Sequence, residues 1–226
     1  MFARDARPRV LEDRAEAGRL LARLLRRYRS ERPIVVALPR GGVPVGYEIA
    51  RDLGAPLDVL IVRKIGAPGF PEYGLGALAE PDLLRLDEAR ARAEGFRAED
   101  LAPVIARERE ELRRRARVYR GDRAAFPVEG RCAILVDDGM ATGGTMRVAA
   151  SALRARRASF IVVAVGVASP EAVDALKAEV DRVVVVSAPR GLGAIGAWYR
   201  SFEPVEDDEV VNLLRLSSRR ALDPPS

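Results

Sequence analysis

Ala133 to Met146, AILVDDGMATGGTM, constrains the fold more than any other stretch of this chain: an apolar run, two adjacent acids, then a turn rich in Gly and Thr. Ala133-Ile134-Leu135-Val136 is short and rich in branched residues, which suits a strand buried on both faces of a parallel sheet better than a helix. In an open parallel α/β sheet, ligands gather at the carboxyl ends of the strands, where loops leave and helix N-termini point inward. Asp137 and Asp138 are therefore expected on that rim, just past the strand. Two adjacent carboxylates offer several acceptor sites to a vicinal diol. Ala141-Thr142-Gly143-Gly144-Thr145 offers backbone N–H groups and two hydroxyls to an anion. A helix expected from Thr145 to Arg156 adds its positive end. A diol and a phosphate held side by side describe a ribose 5-phosphate.

Two other phosphate motifs fail on their context. Gly139 to Thr145 has the G-x-x-x-x-G spacing of a Walker A loop, but Thr145 stands where that loop needs Lys. Gly191-Leu192-Gly193-Ala194-Ile195-Gly196 matches G-x-G-x-x-G and follows an expected strand at Val183 to Val186. A dinucleotide fingerprint must open a βαβ unit with an acid about twenty residues on. The chain beyond Asp207 and Asp208 reads instead as a final helix, so a tight turn is the expectation.

Composition removes whole classes of chemistry. The chain has no His and a lone Cys132, so there is no imidazole base, no Ser-His triad, no Cys/His zinc cluster and no intrachain disulfide. Catalysis must fall to carboxylates, Lys/Arg, backbone dipoles or a metal carried in by substrate. With 226 residues and 48% hydrophobic content, one substantial core and a single domain over 1–226 are expected. No long apolar span suits a membrane, and Met1 to Arg9 lacks the apolar core of a signal peptide, so a cytoplasmic protein is expected. The net charge is +5, every cation but Lys64 and Lys177 is Arg, Gln is absent and Asn212 is the lone Asn. This amide scarcity suits a heat-adapted source. The densest basic run, Arg107 to Arg120, alternates in sign and reads as a solvated helix face, not a nucleic-acid surface.

The periodicity gives an α/β class: an open, mostly parallel sheet flanked by helices. Asp13 to Tyr28 reads as an amphipathic helix with Asp13 and Glu16 at capping-box spacing. Strand Ile34–Leu38, helix Val45–Leu53 and strand Leu57–Val62 follow. Gly74–Glu80 and Leu83–Leu86 suggest a hairpin, and Asp87 to Tyr119 a helical stretch broken near Gly95 and Pro103; together 66–122 forms a helical insertion or lid. After the acid pair come strand Phe160–Val167, helix Pro170–Val180, strand Arg182–Val186 and a C-terminal hood over 187–203 carrying Trp198, Tyr199 and Phe202. Asp223-Pro224-Pro225-Ser226 is expected to fray.

AILVDDGMATGGTM resembles the phosphoribosyl pyrophosphate (PRPP) signature of type I phosphoribosyltransferases. Leu38-Pro39-Arg40-Gly41-Gly42-Val43-Pro44-Val45-Gly46 resembles their pyrophosphate loop, and Val62-Arg63-Lys64-Ile65-Gly66-Ala67-Pro68-Gly69 the segment after the next strand. The wording LPRGGVPVG, VRKIGAPGFPEYGLGALAE and GAWYRSF is similar to a bacterial subgroup of stand-alone predicted phosphoribosyltransferases. The resemblance implies displacement of pyrophosphate from PRPP by a nitrogen acceptor, a nucleobase above all. Mg2+ would be held mainly by substrate oxygens and waters, with Asp137 and Asp138 behind it. It further implies PRPP contacts from Asp137, Asp138, Ala141, Thr142, Gly143, Gly144 and Thr145, and pyrophosphate contacts from Arg40, Gly41, Gly42, Arg63 and Lys64. Arg40, Lys64 and the acid pair would carry the catalysis. Trp198 and Tyr199 would touch the acceptor, Glu72 or Glu80 could serve as base, and a homodimer is expected. A non-proline cis peptide is expected at Arg40–Gly41. One departure is Gly139, where a bulky aliphatic residue is common; it loosens the case for a rigid loop. The rival reading keeps the fold without turnover: a regulator that senses PRPP or nucleotides and binds nucleic acid.

Overall fold

A computed structural model describes residues 8–222. The expected frayed end at 223–226, and residues 1–7 of the segment read for a signal peptide, lie outside the described residues. The central sheet has the order β2-β1-β6-β7-β8 and is parallel throughout. Its strands are β1 (Ile34–Ala37), β2 (Leu57–Val59), β6 (Cys132–Met140), β7 (Phe160–Ala168) and β8 (Arg182–Ser187). Alternate residues feed two separate cores. Val35, Ile134, Val136, Val162 and Ala164 meet the N-terminal helices. Ile34, Leu135, Ile161, Val163 and Val165 meet the helices that follow the acid pair. Both faces are covered, so the middles of the strands read as apolar runs, as at Ile34–Ala37, Ala133–Val136 and Ile161–Val165.

Helix α1 (Arg14–Leu25) is capped by Asp13, whose carboxylate accepts from Glu16 N. Glu16 does not return the bond to Asp13 as a capping box would. Its side chain accepts from Glu12 N at 2.6 Å. Helix α2 (Gly42–Leu53) begins before the expected Val45, because Pro44 falls in the first turn, where a missing N–H costs nothing. On the opposite face lie α5 (Gly144–Ala155) and α6 (Pro170–Leu176); α6 is shorter than expected, the chain turning at Leu176 as Glu179 N and Val180 N both donate to its carbonyl. The final helix is α7 (Asp207–Leu222).

The insertion carries the expected helices, and its expected hairpin belongs to a larger sheet. It is a three-stranded antiparallel sheet, β3 (Val62–Ala67), β4 (Phe70–Ala79) and β5 (Leu83–Leu86), followed by α3 (Glu88–Ala93) and α4 (Ala98–Arg120). The expected strand Leu57–Val62 is split because the chain turns away from the main sheet beyond Leu60, whose N still donates to Ala37 O, while Ile61 N donates to a Glu80 carboxylate oxygen. Pro103 does not break α4. A single proline removes one hydrogen bond, and the buried stripe of Leu101, Leu112 and Tyr119 holds the helix through it. The expected break near Gly95 is present, between α3 and α4.

Candidate functional site

The acid pair lies inside β6, which continues to Met140, not on the rim beyond a strand ending at Val136. Alternation along a strand sends the two carboxyls to opposite faces. Asp138 turns to α1, where its Oδ2 accepts from Arg14 Nε at 2.8 Å. The Asp137 carboxyl accepts from Asp138 N at 2.8 Å. Burial, and then the charge of Asp138, push the Asp137 carboxyl well above the usual carboxylate range.

The expected pyrophosphate loop packs directly against this pair. Leu38 N donates to Val136 O at 2.8 Å and Gly42 N to Leu38 O at 3.0 Å, which folds Pro39-Arg40-Gly41 over the carboxyl end of β6. A Cβ on Gly41 would stand 2.1 Å from Asp138 Oδ2, and one on Gly42 would stand 2.6 Å from Val136 O. Glycine at both positions is what lets the loop approach. The non-proline cis peptide is Pro39–Arg40, one bond before the expected place. Gly41 already has helical backbone, φ −59 and ψ −31, so the Arg40–Gly41 bond belongs to the entry of α2.

The second loop, Ala141 to Thr145, runs into α5. Gly143 is its N-cap at φ 76, and no side chain caps the helix. The first-turn amides, which have no acceptor inside a helix, are left for an outside one. Thr142 and Thr145 are exposed. Beside this loop lies a cavity of about 420 Å³ walled by Ala141, Thr142, Ser169, Glu171, Leu192 and Gly193. The Gly191-x-Gly193 segment is a turn, with φ +67 and +61, leading into a short 3-10 turn at Ile195–Trp198 and not into a dinucleotide-binding βαβ unit.

Several expected site residues are held elsewhere. Arg63 donates to Glu108 at 2.7 and 2.9 Å. Lys64 donates to the Glu72 carbonyl and stands 3.5 Å from its carboxylate. Both side chains thus find their partners within the insertion, not at the acid pair. Glu80 cannot serve as an acceptor's base, because its buried carboxylate holds Arg120 and Ile61 N. Arg40 does sit at the loop, but it faces α7, 3.3 Å from Glu206 and 4.0 Å from Asp207. Tyr199 is 5% exposed, so its ring is not free to stack on an acceptor. Its hydroxyl donates to the Asp138 carbonyl at 2.6 Å. Trp198 is half-buried, with its indole N–H donated to Leu192 O.

Gly139 is fixed by packing, not by a need for loose backbone. A Cβ there would come within 2.3 Å of Ile195 Cγ2, so glycine lets the hood close on β6. Arg14 was not legible as a site residue. It reaches Asp138 from 124 residues away, and one Arg opening an Arg-rich helix carries no signal.

The chain is similar to known proteins over most of its length. Two Mycobacterium tuberculosis proteins, each with a provisional phosphoribosyl transferase name, are 39% identical over 211 residues, or 93% of this chain and 48% of theirs. The chain thus spans about half the length of these curated relatives. A ribose-phosphate pyrophosphokinase of Vibrio parahaemolyticus is 35% identical over 212 residues, 81% of this chain and 66% of that protein. Among solved structures, TT1426 from Thermus thermophilus superposes with a TM-score of 0.78 at 45% identity, covering 90% of this chain and 97% of that one. The model of the phosphoribosyl transferase domain matches residues 10–195, a span that holds both loops and the acid pair, and this chain is a member of that family.

Proposed function

We propose that this chain transfers 5-phosphoribosyl from PRPP to a nitrogen acceptor of the nucleobase class, with release of pyrophosphate, in the cytoplasm. The observation that carries the reading is the close packing of Gly41 and Gly42 against the Asp137–Asp138 segment, with a second anion loop leaving the same strand. Two anion sites flanking a carboxylate pair match a ligand that has phosphate at one end, pyrophosphate at the other and hydroxyls between.

In this reading, Thr142, Thr145 and the first amides of α5 take the 5-phosphate. The turn at Gly41 and Gly42 takes the pyrophosphate, joined by Arg40 once it leaves Glu206. Asp137 and Asp138 take the ribose hydroxyls. The acceptor enters the cavity beside Thr142, between Glu171 and the Leu192-Gly193 turn. No protein nucleophile is needed; the chain contributes alignment and stabilises charge on the departing group. Mg2+ fits this donor set as a substrate-borne ion, because the adjacent Asp137 and Asp138 offer carboxylate oxygens, the donors a hard cation takes. Bound with PRPP and backed by Asp137 and Asp138, it would supply charge neutralisation at the pyrophosphate.

The test is calorimetry with PRPP and Mg2+, followed by a pyrophosphate-release screen with guanine, hypoxanthine, adenine, uracil and orotate. Wild type should bind PRPP and release pyrophosphate with at least one acceptor. The Asp137→Asn, Asp138→Asn double variant should stay folded and lose binding. Unchanged affinity in that variant would overturn the site, and binding without turnover on any acceptor would favour a sensor.

A further inference from the structure

We propose that Arg14 is a positioning residue for the ribose end of the site, fixing the Asp138 carboxylate so that sugar binding depends on the first turn of the N-terminal helix. The inference rests on the PRPP reading above and adds a residue to it. Arg14 is the first residue of α1, a turn set by the Asp13 cap. Its guanidinium makes three different contacts. Nε donates to Asp138 Oδ2 at 2.8 Å, one terminal nitrogen donates to Glu203 O at 2.8 Å, and Cζ lies over the Phe202 ring, 3.8 Å from its centre. Phe202 in turn packs on Tyr199 with ring centres 5.0 Å apart. Tyr199 closes the circuit by donating its hydroxyl to the Asp138 carbonyl.

Asp138 is therefore held at both ends, the carboxylate by Arg14 and the carbonyl by Tyr199. Behind it there is no slack. A Cβ on Gly166 would stand 2.1 Å from the Tyr199 hydroxyl and 2.8 Å from Asp138 O, while Gly41 leaves no gap beside Oδ2. The Arg14 and Asp138 side chains are only 12% and 13% exposed, which sets this pair apart from surface ion pairs that contribute little. Lysine could not replace the arrangement, since a point charge cannot donate in two fixed directions and also stack. With all three of its contacts inside the protein, Arg14 acts through Asp138 and not on the ligand.

The experiment measures calorimetric Kd values for Mg·PRPP and for magnesium pyrophosphate, which carries no sugar. In Arg14→Met the Kd for Mg·PRPP should rise roughly tenfold or more, as expected for losing a charge-assisted bond, while that for magnesium pyrophosphate stays close to wild type. Arg14→Lys should recover only part of the loss. Equal PRPP affinity in Arg14→Met, parallel loss of both ligands, or full rescue by Lys would each overturn the assignment. Should Arg14→Met not fold, Phe202→Leu carries the same test, because it removes the stacking shelf and leaves both charges in place. It should weaken PRPP selectively. A wild type that fails to bind PRPP would instead refute the PRPP reading itself, and this assignment with it.

Discussion

Asp137 is held at the site at an electrostatic cost. Its carboxyl is driven well above the usual range, first by burial and then by the neighbouring Asp138 charge. A group raised in this way favours the fold in its protonated form. Its contribution is complete below the unfolded value of about 3.9 and is lost as pH rises through the folded value. Asp137→Asn removes that titration and keeps an oxygen to accept from Asp138 N. In Mg-free buffer without PRPP, the variant should therefore melt above wild type at pH 8, by ~2–4 °C for each kcal/mol of penalty removed. The gap should close as pH falls toward about 4. Circular dichroism melts across that range check it, and a variant less stable than wild type at pH 8 excludes it. That an acid pair marks the site was legible from AILVDDGMATGGTM. What divides the two acids was not, because Asp137 is shifted first by burial, and no local spacing brings Arg14 to Asp138.

At the scale of elements, the insertion is joined to the main sheet by a buried charged latch. Arg120, at the end of α4, donates to Asp58 on β2 at 2.9 Å, to Glu80 after β4 at 2.7 and 3.0 Å, and to the Val59 carbonyl. Asp58 also accepts from Phe126 N and Glu80 from Ile61 N, so each carboxylate is shared between side-chain and backbone donors. Burial opposes the Arg120 charge, but the two carboxylates outweigh it and raise its pKa. Arg120→Met should lower unfolding free energy by about 3–5 kcal/mol, since it strands buried carboxylates without a counter-ion. Urea unfolding followed by fluorescence of Trp198 measures this, and a loss under ~1 kcal/mol would reduce the latch to a surface-type pair. The latch explains why this region was only half legible. The hairpin at Gly74–Glu80 and Leu83–Leu86 shows in the sequence through turn residues. The first strand does not, because Leu57 to Val62 is apolar but for Asp58, and what divides it is a carboxylate from Glu80.

Over the whole molecule, the parallel sheet was the most legible feature. Strands covered on both faces are mainly apolar, and an alternation of such runs with amphipathic helices allows few other folds. The charged surface was legible only as composition. Many of its arginines hold acids: Arg26 holds Asp52 through two bonds, Arg154 holds Asp181 at 2.7 Å, and Glu111 is shared by Arg114 and Arg115. Those two guanidinium partners draw the Glu111 carboxyl down to about 2. Isolated surface pairs contribute only about 0–1 kcal/mol at 25 °C. Shared ones gain weight on heating, because the cost of desolvating charge falls as temperature rises. Together with the scarcity of amides, this predicts a thermal midpoint above ~65 °C, the upper end of the mesophilic range. The same midpoint should fall in ~1 M NaCl, where the screening length shrinks to about 3 Å. Differential scanning calorimetry in low and high salt separates the causes. A midpoint inside the mesophilic range would leave the amide scarcity to codon usage, whereas a high midpoint indifferent to salt would place the stability in the two apolar cores and not in the ion pairs.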